Sequence, residues 1–194
     1  MALFAIWREF KAMSTAEQET LQMLAVAGTR WIPGVRWVRT FGMDLESDKP
    51  RSVCIYEGSS REAVVEHSRC CALPVSHVSE VTERASPALR HYGDSGGSQL
   101  FLVTRYLISI PGSREVLNDP NASWLRSFEA TDRALTLSLF AGTDAEAVTC
   151  FAALCTADLV EPVLESLPEQ VAHIYDSLSI PRHWEDAAKV TAVL

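Results

Sequence analysis

The sequence predicts an α+β protein made of two tandem units, each with the order strand, helix, strand, strand, helix, strand. Residues 3–81 show this order through alternating apolar runs, helix caps and turn residues. A second copy is visible as an internal repeat of three short segments in the same order. Segments 37–41, 54–58 and 62–64 recur at 124–128, 138–142 and 146–148. A unit of this order is a ferredoxin-like sandwich, in which one antiparallel sheet carries two helices on one face.

The first half of the first unit is a strand, a helix and a strand. Residues 3–10 form a compact apolar run with the length of one strand. Ser14 and Glu17 have the spacing of a capping box, so a helix begins there. It ends before Pro33, and residues 35–41 then alternate as a strand.

The second half of the first unit is a strand, a helix and a strand again. Residues 52–57 are the returning strand of a hairpin, and residues 61–71 are the second helix. Residues 75–81 are expected to form the last strand.

The second unit begins at Leu100 and is incomplete. Pro111, Gly112 and Pro120 leave room for no more than a short first helix. Residues 144–155 are predicted to be the second helix, and Pro162 confines the last strand to an edge position. Two further helices are expected at the end of the chain, at 168–178 and 183–194.

Four segments follow from these elements. The boundaries are 1–82 for the first repeat, 83–99 for a linker rich in Ser and Gly, 100–167 for the degenerate second repeat and 168–194 for a helical extension.

Composition and charge limit the function. The chain has 194 residues, 47% hydrophobic and 22% charged, and no apolar run approaches the length of a membrane span. A net charge of -8 argues against nucleic acid, whose binding depends on Lys and Arg. Five cysteines without a Cys-x-x-Cys pair are typical of reduced thiols. We therefore expect a cytoplasmic protein that binds neither nucleic acid nor membrane.

The first unit resembles a known family of small bacterial ferredoxin-like proteins of unknown function, some of which are described as nickel-binding. The resemblance is carried by segments 34–37 and 54–57, and by 62–67 followed by Leu73-Pro74. It implies that two domains pair sheet to sheet, so the tandem copies resemble a fused pair forming a pseudo-dimeric α/β barrel. It also implies nickel, or a similar transition metal, near His67.

A metal site is one hypothesis for the helix at 61–71. His67, Cys70 and Cys71 lie on one face of the predicted helix and offer soft ligands suited to nickel, copper or zinc. His77 is a candidate additional ligand. The alternative is a core histidine, because the second copy has Phe151 at the position of His67.

A ligand pocket is the second hypothesis, and it follows from strand alternation. Ile6, Val38, Val53 and Ile55 are assigned to the face beneath the helices. The opposite face is expected to carry aromatic and charged side chains: Trp7, Glu9, Trp37, Arg39, Tyr56, Tyr106, Trp124 and Arg126. Such a set suits a flat, apolar ligand with an anionic oxygen. The alternative is that these side chains only fill the barrel, with Glu9 paired to Arg39.

Three functions remain open. The first is a small protein that binds nickel or a similar metal, and the second is an enzyme without a bound organic cofactor. Such an enzyme would be an oxygenase, cyclase or isomerase acting on an aromatic or polyketide-like substrate. The third is a module that binds a partner through its surface. No nucleophile or phosphate-loop motif occurs, and the chain is expected to be a pseudo-twofold monomer or a homodimer.

Overall fold

The structure is a computed structural model that describes residues 1–85, 99–108, 138–142, 148–165, 173 and 184–193. The chain divides into two compact units. Unit 1 contains Met1–Val81 and Val190–Leu194, and unit 2 contains Thr82–Lys189. No helix within the described residues is long and apolar enough to cross a membrane.

Unit 1 has the predicted order of elements. They are β1 (Ala2–Glu9), α1 (Thr15–Gly28), β2 (Val35–Met43), β3 (Arg51–Gly58), α2 (Arg61–Cys70) and β4 (His77–Ala85, of which residues up to Val81 belong to this unit). The capping box is confirmed, because Ser14 Oγ accepts from the Glu17 amide at 3.4 Å and Glu17 Oε2 accepts from the Ser14 amide at 2.7 Å.

Unit 2 contains β5 (Leu100–Ile108), β6 (Ser138–Gly142), β7 (Val148–Thr156), a 3-10 turn (Ala157–Leu159) and α3 (Val160–Glu165). The last strand, β8 (Trp184–Val193), begins in unit 2 and ends in unit 1. Within unit 2, β7 pairs antiparallel with both β5 and β6.

The sheet of unit 1 is antiparallel throughout. Its strand order is β4, β1, β3, β2, and the end of β8 pairs with the free side of β2. Helix α2 packs on one face of this sheet, where Val64 is fully buried against Phe4, Ile6 and Tyr56. The core of unit 1 lies between this face and the helices.

The predicted helix at 144–155 is wrong, because residues 148–156 form strand β7. Ala152, Ala153, Leu154 and Cys155 are consecutive and all fully buried. A strand buried on both faces is a continuous apolar run, which periodicity alone does not distinguish from a helix.

The predicted helix at 183–194 is also wrong. Ala188 and Val190 are buried, whereas Lys189 and Thr191 are exposed, and this period of two is that of strand β8. Pro162 lies in α3 rather than in an edge strand, within the first turn, where its missing amide hydrogen costs no helical hydrogen bond. The linker at 86–98, the first helix of the second repeat and the helix at 168–178, apart from residue 173, lie outside the described residues.

Candidate functional site

Unit 1 contains a cavity of about 310 Å³ between α1 and the sheet face that carries the helices. Its walls come from one face of α1, from the strands and from the segments that follow β1 and α2. The lining side chains include Arg8, Phe10, Gln18, Leu21, Gln22, Ala25, Trp37, Thr40, Ser52, Cys54 and Leu73.

A register irregularity in β2 brings Trp37 to this cavity. Trp37 pairs with Tyr56 of β3, but Arg39 pairs with Ile55, so one extra residue lies between them. Trp37 and Arg39 therefore lie on opposite faces, although a regular strand would place them on one. The Trp37 indole donates to Thr40 Oγ1 at 3.0 Å, which holds the ring at the cavity wall.

Arg8 is a buried cation on the cavity wall. Its side chain is 2% exposed, and its guanidinium donates to two neutral acceptors, Pro74 O at 2.5 Å and Ser68 Oγ at 2.9 Å. The Nε atom is buried and has no hydrogen-bond partner among the described residues. Because Arg stays protonated in proteins, its positive charge persists beside the cavity.

Tyr56 lies beneath α2 on the same face as Arg8. It is fully buried, and burial raises the pKa of its phenol well above the ordinary value. Its hydroxyl has no hydrogen-bond partner in the described part of the chain. Tyr56 therefore contributes a neutral phenol to the core at neutral pH.

His67 and Cys71 lie side by side at the contact of α2 with α1. His67 Nε2 donates to Ala25 O at 2.9 Å and lies 3.7 Å from Cys71 Sγ, whose thiol donates to Leu24 O at 3.4 Å. Burial lowers the pKa of His67 and raises the pKa of Cys71. Both side chains are therefore neutral near pH 7, and the buried His67 Nδ1 has no partner within residues that the structure describes.

The other two candidate metal ligands lie elsewhere. Cys70 is exposed and its thiol donates to Glu66 Oε1 at 3.5 Å. His77 lies in β4, with Nε2 2.6 Å from Ser79 Oγ and its ring 5.5 Å from the Trp7 ring. Over the described ranges, no three His, Cys, Asp or Glu side chains are grouped to hold a metal ion.

The predicted grouping of pocket residues on one sheet face is wrong. Trp7 of β1 pairs with Val53, and Ile6 pairs with Cys54, so Tyr56 lies on the face opposite Trp7. The prediction used a register displaced by one residue, and such a slip moves every side chain to the other face. Val53 and Ile55 consequently lie away from the helices, not beneath them.

Glu9, another member of the predicted set, does not line the cavity. Glu9 is exposed and lies 3.9 Å from Lys49. Tyr106 belongs to β5, but its side chain is not described, and Trp124 and Arg126 lie outside the described residues. Among the predicted pocket residues whose side chains the structure describes, Trp37 reaches the cavity.

Arg8 is the residue that sequence reasoning missed. The signal was present, because Phe4, Ile6 and Arg8 are alternate residues of one strand and share its helix-facing side. A charged residue in line with two buried apolar ones indicates a buried charge that needs a partner.

Solved structures with a similar fold span almost the whole chain. A protein described as a candidate monooxygenase from Fusobacterium nucleatum has a TM-score of 0.53 at 12% identity. The matched region covers 99% of this chain and 94% of that protein's chain. An anthrone oxidase-like protein has a TM-score of 0.53 at 11% identity, covering 100% and 93%. A second candidate monooxygenase, from Lactobacillus acidophilus, has a TM-score of 0.50 at 9% identity, covering 100% and 96%. At these identities the likeness is one of fold alone.

The sequence comparison is more limited in extent. No curated protein matches the chain at a significant level. The family described as "Nickel responsive protein SCO4226-like" matches residues 4–81, which lie within unit 1. The resemblance to a ferredoxin-like family with nickel-binding members is thereby confirmed, and residues 4–81 match the nickel-responsive family.

Proposed function

We propose that unit 1 binds a small organic molecule in the cavity between α1 and the sheet. The observation that carries this proposal is the cavity itself, whose volume of about 310 Å³ falls in the range of small-molecule sites. Its lining combines apolar side chains with a few polar groups, and this is the usual composition of such sites.

The cavity is also a candidate substrate-binding site if the protein is an enzyme. Trp37 supplies a flat aromatic wall, which suits an aromatic or polyketide-like substrate. Two of the structural neighbours are described as candidate monooxygenases, and this supports a search for turnover as well as binding. More specifically, we therefore propose that the protein is an oxygenase that acts without a bound organic cofactor.

A cavity-filling variant tests the location of binding. Gln22 lines the cavity from α1, whereas Met23, the next residue, is 64% exposed and lies outside it. We expect aromatic compounds that bind the wild-type chain to bind Gln22→Trp at least about tenfold more weakly. Met23→Trp is the matched control and should retain wild-type affinity.

Calorimetry or ligand-detected NMR gives the affinities, and oxygen uptake with each bound compound tests turnover. Equal affinities in the two variants would show that binding occurs elsewhere. A panel of aromatic compounds with no binder would contradict the proposal as a whole.

Nickel binding is a second candidate, supported by the family match and by the adjacent imidazole and thiol of His67 and Cys71. The fit is incomplete, because the described residues add no third ligand to this pair. The raised pKa of Cys71 also disfavours the thiolate that a metal requires. The residues present therefore do not form a nickel site by themselves in the described part of the chain.

Metal analysis of the protein purified without a histidine tag tests this candidate. If His67 holds nickel, His67→Gln lowers the bound nickel from stoichiometric to background, whereas Cys70→Ser, at the exposed thiol, does not. Unchanged nickel content together with lower stability of His67→Gln would identify a core residue instead.

A further inference from the structure

We infer that the unit 1 cavity selects an organic monoanion, in which an apolar aromatic body carries one carboxylate or a similar anionic oxygen group recognised by Arg8. This inference rests on the proposed binding function and adds the charge of the ligand. Three features of the cavity support this inference: Arg8 is buried, its hydrogen-bond acceptors are neutral, and the cavity walls are largely apolar.

Arg8 carries a positive charge that no ion pair balances among the residues that the structure describes. Its acceptors, Pro74 O and Ser68 Oγ, are neutral, and no carboxylate among the described residues forms an ion pair with it. Ser68 Oγ in turn donates to Val64 O at 3.3 Å, so this hydroxyl is held in place by α2. Pro74 O and Ser68 Oγ thus hold the guanidinium in place, and within the described ranges no carboxylate neutralises its charge.

A buried cation in this position favours an anion in the neighbouring cavity. Arg cannot lose its proton, so the charge is not relieved by titration. Charges attract more strongly where water is excluded than in bulk water. An anionic ligand would therefore gain from the low local dielectric and would also remove the cost of the unpaired guanidinium.

The other residues of the cavity wall indicate which kind of ligand body would fit beside the anionic group. Phe10, Leu21, Leu73 and Trp37 provide apolar and aromatic surface for a flat body. Glu19 also borders the cavity, but it is an exposed residue of α1, so its carboxylate is solvated. One buried positive charge within apolar walls matches a ligand with a single negative charge.

The test compares two probes of nearly equal size and shape, naphthoate and naphthamide, at neutral pH. The carboxylate is charged and the amide is not, whereas both fit a cavity of about 310 Å³. We expect the wild-type chain to bind naphthoate about ten to a hundred times more tightly than naphthamide, as charge-assisted hydrogen bonds predict. Isothermal titration calorimetry measures both affinities.

Variants of Arg8 assign the preference to its charge. Arg8→Met should bind both probes with similar, weak affinity, and Arg8→Lys should keep part of the preference for naphthoate because it keeps the charge. Naphthamide is the internal control for folding. A variant that binds the amide as wild-type does has an intact cavity.

The outcomes separate this inference from the proposed function. Equal binding of naphthoate and naphthamide by the wild-type chain overturns the charge selection and leaves the cavity as a binding site. A preference that survives in Arg8→Met overturns the role of Arg8. Absence of binding of either probe at about 1 mM contradicts both the inference and the proposed function.

Discussion

His67 is a buried histidine that connects the two helices of unit 1. Its ring donates to Ala25 O of α1 and packs against the Tyr56 ring at a centroid distance of 5.0 Å. Burial is the main cause that lowers its pKa below the ordinary value of 6.5, and the nearby Arg8 charge acts in the same direction. These contacts are those of a core residue.

This environment predicts a pH-dependent stability. Below pH 6.5 the unfolded chain binds a proton at His67 that the folded chain does not, because the folded pKa is lower. The contribution of neutral His67 to the free energy of unfolding is fully present above the unfolded pKa. It is lost as the pH falls from 6.5 toward the folded pKa, at up to about 1.4 kcal/mol per pH unit.

Urea denaturation over a pH series measures this loss, and His67→Gln is the control because glutamine does not titrate. The free energy of unfolding of the wild-type chain should fall relative to that of His67→Gln below pH 6.5. Parallel pH profiles for the two proteins would show that His67 has the same pKa in both states.

At the scale of elements, α1 and α2 approach closely because α1 ends in glycine. A Cβ added at Gly28 would lie 2.2 Å from Cys71 Sγ and 3.2 Å from His67 Nε2. Gly28 has no strained backbone torsion, so space is the reason for glycine here. The contact buries Cys71 together with Ala25 and Leu73.

Gly28→Ala should therefore incur an overpacking cost of about 1–3 kcal/mol, which leaves a net destabilisation of up to about 2 kcal/mol once helix propensity is included. This cost opposes the higher helix propensity of alanine, which by itself would favour the variant by about 1 kcal/mol. Thermal or urea unfolding of Gly28→Ala measures the net effect.

The double variant with Cys71→Ala identifies the clash as the cause. Removing the sulfur makes room, so Gly28→Ala should cost less in the Cys71→Ala background than in the wild-type chain. Strictly additive effects of the two substitutions would place the cause elsewhere.

At the scale of the whole molecule, the end of the chain completes the sheet of unit 1. Phe41 pairs with Val193 and Met43 pairs with Val190, and Thr191 Oγ1 donates to Gly42 O at 3.2 Å. Residues 190–193 thus cover the side of β2 that β3 leaves open. The sequence predicts a helical extension over 168–194, and the structure corrects this for residues 190–193, which belong to strand β8.

Deletion of residues 190–194 should destabilise unit 1 by about 1–3 kcal/mol, because the hydrogen bonds to β2 and the burial of Val190 are lost. Amide hydrogen exchange at residues 41–43 should become faster. Lys189→Ala, at an exposed position next to the deletion, is the control and should leave exchange unchanged. Unchanged protection after deletion would contradict the pairing.

The sequence by itself determined the features that depend on neighbouring residues. The order of elements in unit 1, the capping box of α1 and the resemblance of residues 4–81 to the nickel-responsive family were all predicted correctly. Turns, helix caps and the alternation of apolar and polar residues depend on residues that are only a few positions apart in the sequence. A single chain segment therefore carries enough information to predict them.

Only the tertiary structure decided which residues meet. The register of β1 against β3 and the irregularity between Trp37 and Arg39 arise from pairing between distant segments, and each changes which face a side chain occupies. They place Arg8 beside the cavity and separate Trp7 from Tyr56. The tertiary structure also decided that residues 148–156 form strand β7. Burial on both faces removes the alternation of apolar and polar residues that would identify a strand.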